Sequence, residues 1–325
     1  MKRANRQLCV LAVVLAICGA AYLGVRWWNE TRAETDDAVC VLEWTDLSGL
    51  AFEREGTALS FAKGGDGLWY SADEPDFPLE QSCLTDLEET LSALKAVKVI
   101  RDPEEDASYG LDAPVLRVAA ELSDGTTGVL LVGSAVNGGY YARLEDGDTV
   151  YTISSALMDG TDMGLMEMIA LEEFPVVTEA NAVSITLSLD GETRTFTKET
   201  VAGGDAAADA CAWSLDGEAL PEDDEALAAA LSALPGLSFT SCHAWRPDLA
   251  LQTDCGLERP ARVTVTYLQG GSEEQYTLLL GGTDGAGNYY AQIKGSEQLN
   301  ILRASAAQAL LGLAEAGAAQ ETAQP

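Results

Sequence analysis

The sequence predicts an α+β protein, with an N-terminal transmembrane helix followed by two tandem, diverged α+β modules built on antiparallel sheets. Three observations predict it. An uncharged run near the N-terminus is long enough to cross a bilayer, distinctive short peptides recur in the same order in the two halves of the remainder, and each half sets short alternating stretches beside one amphipathic helical stripe.

Lys2, Arg3 and Arg6 precede the run from Leu8 to Val25, LCVLAVVLAICGAAYLGV, which ends at Arg26, Trp27 and Trp28. At 1.5 Å per residue such a helix is about 27 Å long, against a hydrocarbon core of roughly 30 Å. The basic flank belongs in the cytoplasm, and Arg26, Trp27 and Trp28 then mark the opposite membrane interface. Residues 1–32 are thus expected to be a cytoplasmic tip and single-pass anchor in the cell membrane, with the bulk of the chain outside the cytoplasm. Two other readings stay open: a cleaved signal ending at Gly19, Ala20 and Ala21, and a lipoprotein at Cys18, although bulky Ile17 precedes it. All three export the remainder.

The 325 residues suffice for about two domains, and 47% hydrophobic against 22% charged residues is globular composition. Lys and Arg number 19, Asp and Glu 52, for a net charge of −33. Five of the basic residues and only Glu30 among the acids fall in the first 32 positions, leaving 14 and 51, a net of −37, for the rest. A field of that sign repels phosphate backbones and anionic headgroups, which argues against nucleic acid and against a flat-lying membrane contact. It leaves open a purely solubilising role and a basic or cation-rich partner. Of seven cysteines, Cys9 and Cys18 lie in the apolar run. Cys40, Cys83, Cys211, Cys242 and Cys255 are an odd number without CxxC spacing, and Cys242 and Cys255 are candidate disulfide partners in an oxidising compartment.

The repeat emerges when the two halves are laid together. Trp69 matches Trp213, and Tyr109-Gly110-Leu111-Asp112-Ala113-Pro114 matches Cys255-Gly256-Leu257-Glu258-Arg259-Pro260. Leu130 to Gly133 matches Leu278 to Gly281, and Gly139-Tyr140-Tyr141-Ala142-Arg143 resembles Asn288-Tyr289-Tyr290-Ala291-Gln292. The modules are expected over residues 39–171 and 180–315, joined at Glu172 to Ala180 around Pro175. Ala202 to Ala210 reads as a small-residue loop, and residues 316–325 as a disordered tail.

Within each module, stretches such as Ala58 to Phe61 and Val183 to Leu189 read as strands. In the first copy Leu84, Leu87, Leu91, Leu94 and Val97 share a helical face, with Thr85 and Glu88 at capping-box spacing. In the second, Leu227, Leu231 and Leu234 repeat the stripe after Glu222, Asp223, Asp224 and Glu225, acids that suit a helix N-terminus. Pro114 and Pro260 each fix a loop entering a strand. Strands follow at Val115 to Leu122, Thr127 to Val132, Tyr140 to Leu144 and Thr149 to Ile153, with turns at Asp124-Gly125 and Asp146-Gly147. Their counterparts are Ala261 to Leu268, Gln275 to Leu280, Tyr289 to Ile293 and Leu299 to Leu302, before a helix from about Ser305.

Tyr109 to Pro114, Gly133, Tyr140, Tyr141 and Val150-Tyr151, echoed at Gly256, Leu257, Pro260, Gly281, Tyr289 and Tyr290, together with the anchor, resemble the bacterial domain-of-unknown-function family 4340. Cys255 stands where the family has tyrosine, and Asn300 replaces the later valine-tyrosine, so the second copy is the less typical. The resemblance implies an envelope protein that accompanies ABC-type export systems or gliding-motility-like auxiliary proteins, and it brings no catalytic residues with it.

The residues themselves point to little chemistry. His243 is the only histidine, which excludes two-imidazole sites, and no GxSxG elbow accompanies it. Ser92-Ala93-Leu94-Lys95 has S-x-x-K spacing without its companion motifs, so chance on an amphipathic helix is the simpler reading. Gly281 to Gly287 lacks the ending of a phosphate loop and leads into a strand, and Asp284 and Asn288 lack the calcium-loop pattern. No catalytic, cofactor or metal residues are assigned. Adjacent strand residues face opposite sides, so one of Tyr140 and Tyr141, and one of Tyr289 and Tyr290, is expected in the core and the other on a partner surface. The expectation is a non-enzymatic envelope accessory or scaffold protein, held in the membrane and associated with other envelope or transporter proteins of an ABC-type complex. A cell-wall or glycan binding module, and a hydrolase working with two carboxylates, are the alternatives.

Overall fold

The computed structural model describes residues 39–42, 44–201 and 210–317. The expected membrane helix with Arg26, Trp27 and Trp28, the loop 202–209 and residues 318–325 lie outside the described residues. Among those described, no helix is long and apolar enough to cross a membrane. The chain divides into two compact units, the first holding the residues up to Asp76 and Gln81–Asp162, the second Phe77–Glu80 and the chain from Met163 onward.

The first unit is an eight-stranded antiparallel sheet with helices on one face. Its strands are β1 (Leu47–Arg54), β2 (Thr57–Lys63), β3 (Trp69–Ser71), β4 (Lys98–Ile100), β5 (Leu116–Leu122), β6 (Thr127–Val136), β7 (Gly139–Leu144) and β8 (Val150–Ser154). They lie in the order β3-β2-β1-β5-β6-β7-β8-β4. Helix α1 (Gln81–Ser92) carries the chain from one edge strand, β3, to the other, β4, and α2 (Ala156–Gly160) follows β8.

The second unit repeats this plan. Its strands β9 (Ala182–Leu189), β10 (Glu192–Val201), β11 (Ala210–Leu215), β12 (Glu218–Ala219), β13 (Phe239–Trp245), β14 (Ala261–Gln269), β15 (Ser272–Thr283), β16 (Tyr289–Ile293) and β17 (Gln298–Leu302) lie in the order β12-β11-β10-β9-β14-β15-β16-β17-β13. Only β12 is new. Helices α3 (Glu225–Ala233), α4 (Leu249–Asp254) and α5 (Ala304–Leu311) complete it. The same strand order with the same crossing helix gives the internal repeat a structural meaning, and the class is α+β with antiparallel sheets.

Period-two patterning builds both sheets. Along β14, Ala261, Val263, Val265 and Tyr267 are buried while the residues between them are not. The helix stripe covers that face: Leu84, Leu87 and Leu91 on α1 are buried, as are Leu227 and Ala230 on α3 and Leu234 just after it. In the second unit they join Ile185, Phe196, Val263, Leu278 and Leu310 in one core. Each such side chain removed from water contributes about 1.5–3 kcal/mol. Tight hairpins join β1 to β2 and β9 to β10, where Glu55-Gly56 and Asp190-Gly191 all take positive φ.

Several expectations need correction. Thr85 does not cap α1, because the helix begins a turn earlier and the Thr85 hydroxyl donates to the Gln81 carbonyl. Val97 lies beyond the helix end and is 76% exposed. In α3 the cap is Asp224, whose carboxylate accepts from the Leu227 N–H. The C-terminal segment stays fastened further than expected: Arg194 donates to the Ala316 carbonyl and Gly317 N–H to Asp224. The junction is packed as well, with Val177 fully buried and Phe174 4.7 Å from the Phe239 ring. Phe77 to Glu80 pack with the second unit, Leu79 bridging Ile169 and the Phe77 ring standing edge-on to Trp245 at 5.2 Å.

The repeated Gly-Leu-acid-x-Pro element is a docking device. Strand β6 bulges at Gly133-Ser134 and β15 at Gly281-Gly282. Onto each bulge a loop carbonyl is laid, Tyr109 O accepting from Ser134 N at 2.8 Å and Cys255 O from Gly282 N at 2.8 Å. A Cβ at Gly133 or Gly281 would overlap that carbonyl oxygen, and one at Gly110 or Gly256, both at positive φ, would strike the bulge from the other side. In the first unit Tyr109, Leu111, Leu131 and Val150 form a separate small core behind the loop. Arg143 clamps it with a two-pronged bond to Asp106, at 2.6 and 3.0 Å.

Cys242 and Cys255 are not a disulfide; both carry free thiols. Cys255 sits buried in the docked loop, while Cys242 lies on β13 and points its thiol at the Ala244 and Leu299 carbonyls. Burial, reinforced by the charge of Glu172, pushes the Cys242 thiol up to about 11.

Two outcomes follow. Gly281→Ala is expected to cost about 1–3 kcal/mol in urea unfolding because the loop must lift off its bulge, whereas Gly285→Ala, where a Cβ meets nothing within 4 Å, stays within about 0.5 kcal/mol. Iodoacetamide at pH 8 should alkylate exposed Cys40 well before Cys242, whose thiolate is then about one part in a thousand and grows tenfold per pH unit; peptide mapping reads the rates, and a Cys242–Cys255 bridge would leave both unlabelled even at pH 10.

Candidate functional site

The four tyrosines are half-buried, and strand alternation sorts them. Tyr289 packs on the main core of the second unit beside Ala291, whereas Tyr290 faces the other way and meets the His243 ring edge-on at 4.9 Å. In the first unit Tyr141 takes the place of Tyr290 and stands edge-on to Tyr109 at 4.9 Å. Cys255 replaces Tyr109 in the second copy, and the aromatic partner there is His243, supplied by β13. Thus Tyr109, Gly110, Leu111, Pro114, Gly256, Leu257 and Pro260 belong to the docked loops, while His243 is exposed on β13 with its ring against Tyr290. Tyr141 also lines a hollow of about 310 Å³ with Val97, Ile100 and Val136, beside the three-residue edge strand β4.

A second recurring arrangement centres on the tryptophans. Trp69 and Trp213 are buried on equivalent strands, and neither indole N–H has an acceptor among the described residues. Each faces a lysine across the strand pair, Lys63 opposite Trp69 and Lys198 opposite Trp213. In the first unit the Lys63 ammonium lies 5.1 Å from the centre of the Trp69 ring and bonds the Glu88 carboxylate at 2.8 and 3.1 Å. Gln81, at the start of α1, brackets the Trp69 backbone by accepting from its N–H at 2.7 Å and donating to its carbonyl at 3.0 Å. In the second unit Lys198 instead donates to the Glu179 and Ala180 carbonyls. A cavity of about 470 Å³ opens beside Trp213 there. Sequence reasoning aligned the tryptophans but missed their lysines, because the intervening loops differ in length and only strand register brings each pair together.

The remaining sequence candidates disperse. Ser92 donates to the Glu89 carbonyl at the end of α1 while Lys95 pairs with Cys40 in a strand-like bridge, so the S-x-x-K spacing makes no acid–base pair. The glycine-rich segment after Gly281 is a hairpin loop folded around Asp284, whose carboxylate accepts from Ala286 N, Asn288 N and the Asn288 amide. Burial works against its charge, but these bonds hold Asp284 below the usual carboxylate range. Among the described residues no three His, Cys, Asp or Glu side chains gather as a metal site. Asn300, where the first copy has Tyr151, is fully buried with neither amide atom bonded among the described residues.

The family model for a domain of unknown function, DUF4340, matches residues 69–242, more than half of the chain, from Trp69 on β3 to Cys242 on β13. No curated protein and no solved structure matches. The chain therefore belongs to the DUF4340 family.

Proposed function

We propose that this protein is a non-enzymatic, membrane-anchored accessory of the cell envelope that binds a protein partner of an ABC-type transport complex. The observation that carries the binding role is the hollow of about 310 Å³ beside β4. Its rim presents Val97, 76% exposed, next to Tyr141, Ile100 and Val136, an apolar face that a partner would cover. The address rests on the sequence: the apolar run Leu8 to Val25 with its basic flank, and Arg26, Trp27 and Trp28 at the outer interface. The glycines of the family element support the same reading, because in both copies they serve to dock a loop carbonyl on a strand bulge. The net charge of −37 beyond residue 32 favours a basic partner over nucleic acid.

The test is an in-cell crosslinking pull-down of the full-length protein, solubilised in mild detergent and read by mass spectrometry. Transporter subunits should be recovered with the intact chain and lost when it starts after Arg32. Val97→Asp, a change at an exposed site that leaves folding intact, should lower their recovery about tenfold, equivalent to roughly 1.4 kcal/mol. Recovery of wall polymers instead, or of no transporter subunit, would overturn the reading.

A further inference from the structure

The two modules treat the same tryptophan differently, and the difference defines a site. The buried helical positions Leu84, Leu87, Leu91 and Leu94 of the first module correspond one for one with Leu227, Ala230, Leu234 and Leu237 of the second. That register puts Leu231 where the first module has Glu88. In the first module Glu88 holds the Lys63 ammonium over the Trp69 ring, so a cation already occupies the space between tryptophan and helix. With leucine at that place, no carboxylate among the described residues holds Lys198 over Trp213, and the lysine bonds the Glu179 and Ala180 carbonyls instead.

The corresponding space in the second module is the cavity of about 470 Å³. Its apolar wall includes Trp213, Leu227 and Leu231, and its acids are Glu179, Glu222 and Asp224; among the described residues no basic side chain lines it. Asp224 is fixed by accepting from the Leu227 and Gly317 N–H groups. Glu179 and Glu222 have no ion-pair partner among the described residues. Trp213 is only 8% exposed, and its indole N–H lacks an acceptor among those residues.

We propose that this cavity binds an organic ammonium ion on an aliphatic stem, either a lysine side chain of a peptide or a free alkylamine. The stem lies along Leu227, Leu231 and the Trp213 ring, as the Lys63 stem lies against Trp69. The ammonium meets Glu179, Glu222 and Asp224 in place of Glu88. The inference stands whether or not the chain accompanies a transporter.

Calorimetric titration of the full-length protein in detergent tests it, with Nα-acetyl-lysine methylamide, pentylamine and the uncharged Nα-acetyl-norleucine methylamide as probes. The two ammonium probes should bind saturably, and the norleucine derivative about tenfold more weakly. Tighter binding of the lysine derivative would identify peptide as the source, and equal binding a free amine. The double variant Glu179→Gln/Glu222→Gln should weaken both ammonium probes about tenfold without unfolding the chain. Leu231→Glu gives Lys198 the carboxylate found in the first module and should abolish binding by drawing that lysine over Trp213. Absence of saturable ammonium binding, equal binding of the norleucine derivative, or affinity unchanged in the glutamine variant would each overturn the proposal.

Discussion

In both units a loop carbonyl is held against a bulge in an interior strand, β6 of the eight-stranded sheet and β15 of the nine-stranded one, and much of the module depends on that contact. Tyr109 O on Ser134 N and Cys255 O on Gly282 N each bind a long crossing segment back to the sheet centre. The contact demands glycine on both sides, since Gly110 and Gly133, like Gly256 and Gly281, leave no room for a Cβ. It also sets where β5 and β14 begin, because the chain leaves the docked loop through Pro114 or Pro260 directly into the strand that pairs with β1 or β9. A short peptide that survives in two otherwise diverged halves is therefore explained by backbone proximity and requires no ligand.

Divergence has acted on the side chains around that shared frame. Where the first copy sets Tyr109 edge-on to Tyr141, the second buries Cys255 and sets His243 against Tyr290 from a longer edge strand. Where the first places an ion pair over its tryptophan, the second has leucine and a cavity. Each change is local because the sheet order is unchanged, so the first copy fills the space beside its tryptophan with an ion pair while the second leaves a cavity there, with acids that have no ion-pair partner among the described residues. Asn300 follows the same pattern: a buried amide without partners among the described residues replaces a tyrosine that needs no such accommodation.

Much of this was legible. Most strands from Val115 to Ile153 and from Ala261 to Leu302 appear within one or two residues of expectation, since period-two burial and glycine turns are local signals, whereas β6 runs four residues past Val132 and β15 extends three residues beyond its expected span at each end. Short or edge elements were not: β3 and β4 have three residues each, too few to show a period. Glu55-Gly56 and Asp190-Gly191 carried a hairpin signal that was passed over, and with it β1 and β10. Thr85 looked like a cap because spacing alone does not reveal that Gln81 already starts the helix. Spacing likewise suggested a Cys242–Cys255 pair, which the structure separates onto an edge strand and a docked loop.

The sequence by itself determined the class, the repeat and the family element, because hydrophobic period, turn residues and recurring glycines are written within a few neighbouring positions. Only the tertiary structure decided which residues act together. Lys63 reaches Trp69, and Arg143 reaches Asp106, across pairings between separate segments, and the cavity beside Trp213 is the product of Leu231 standing over a strand that the chain left before the helix began. Contacts of that kind depend on strand register and helix phase, quantities that are set when the whole sheet closes over its core and that no local stretch of sequence contains.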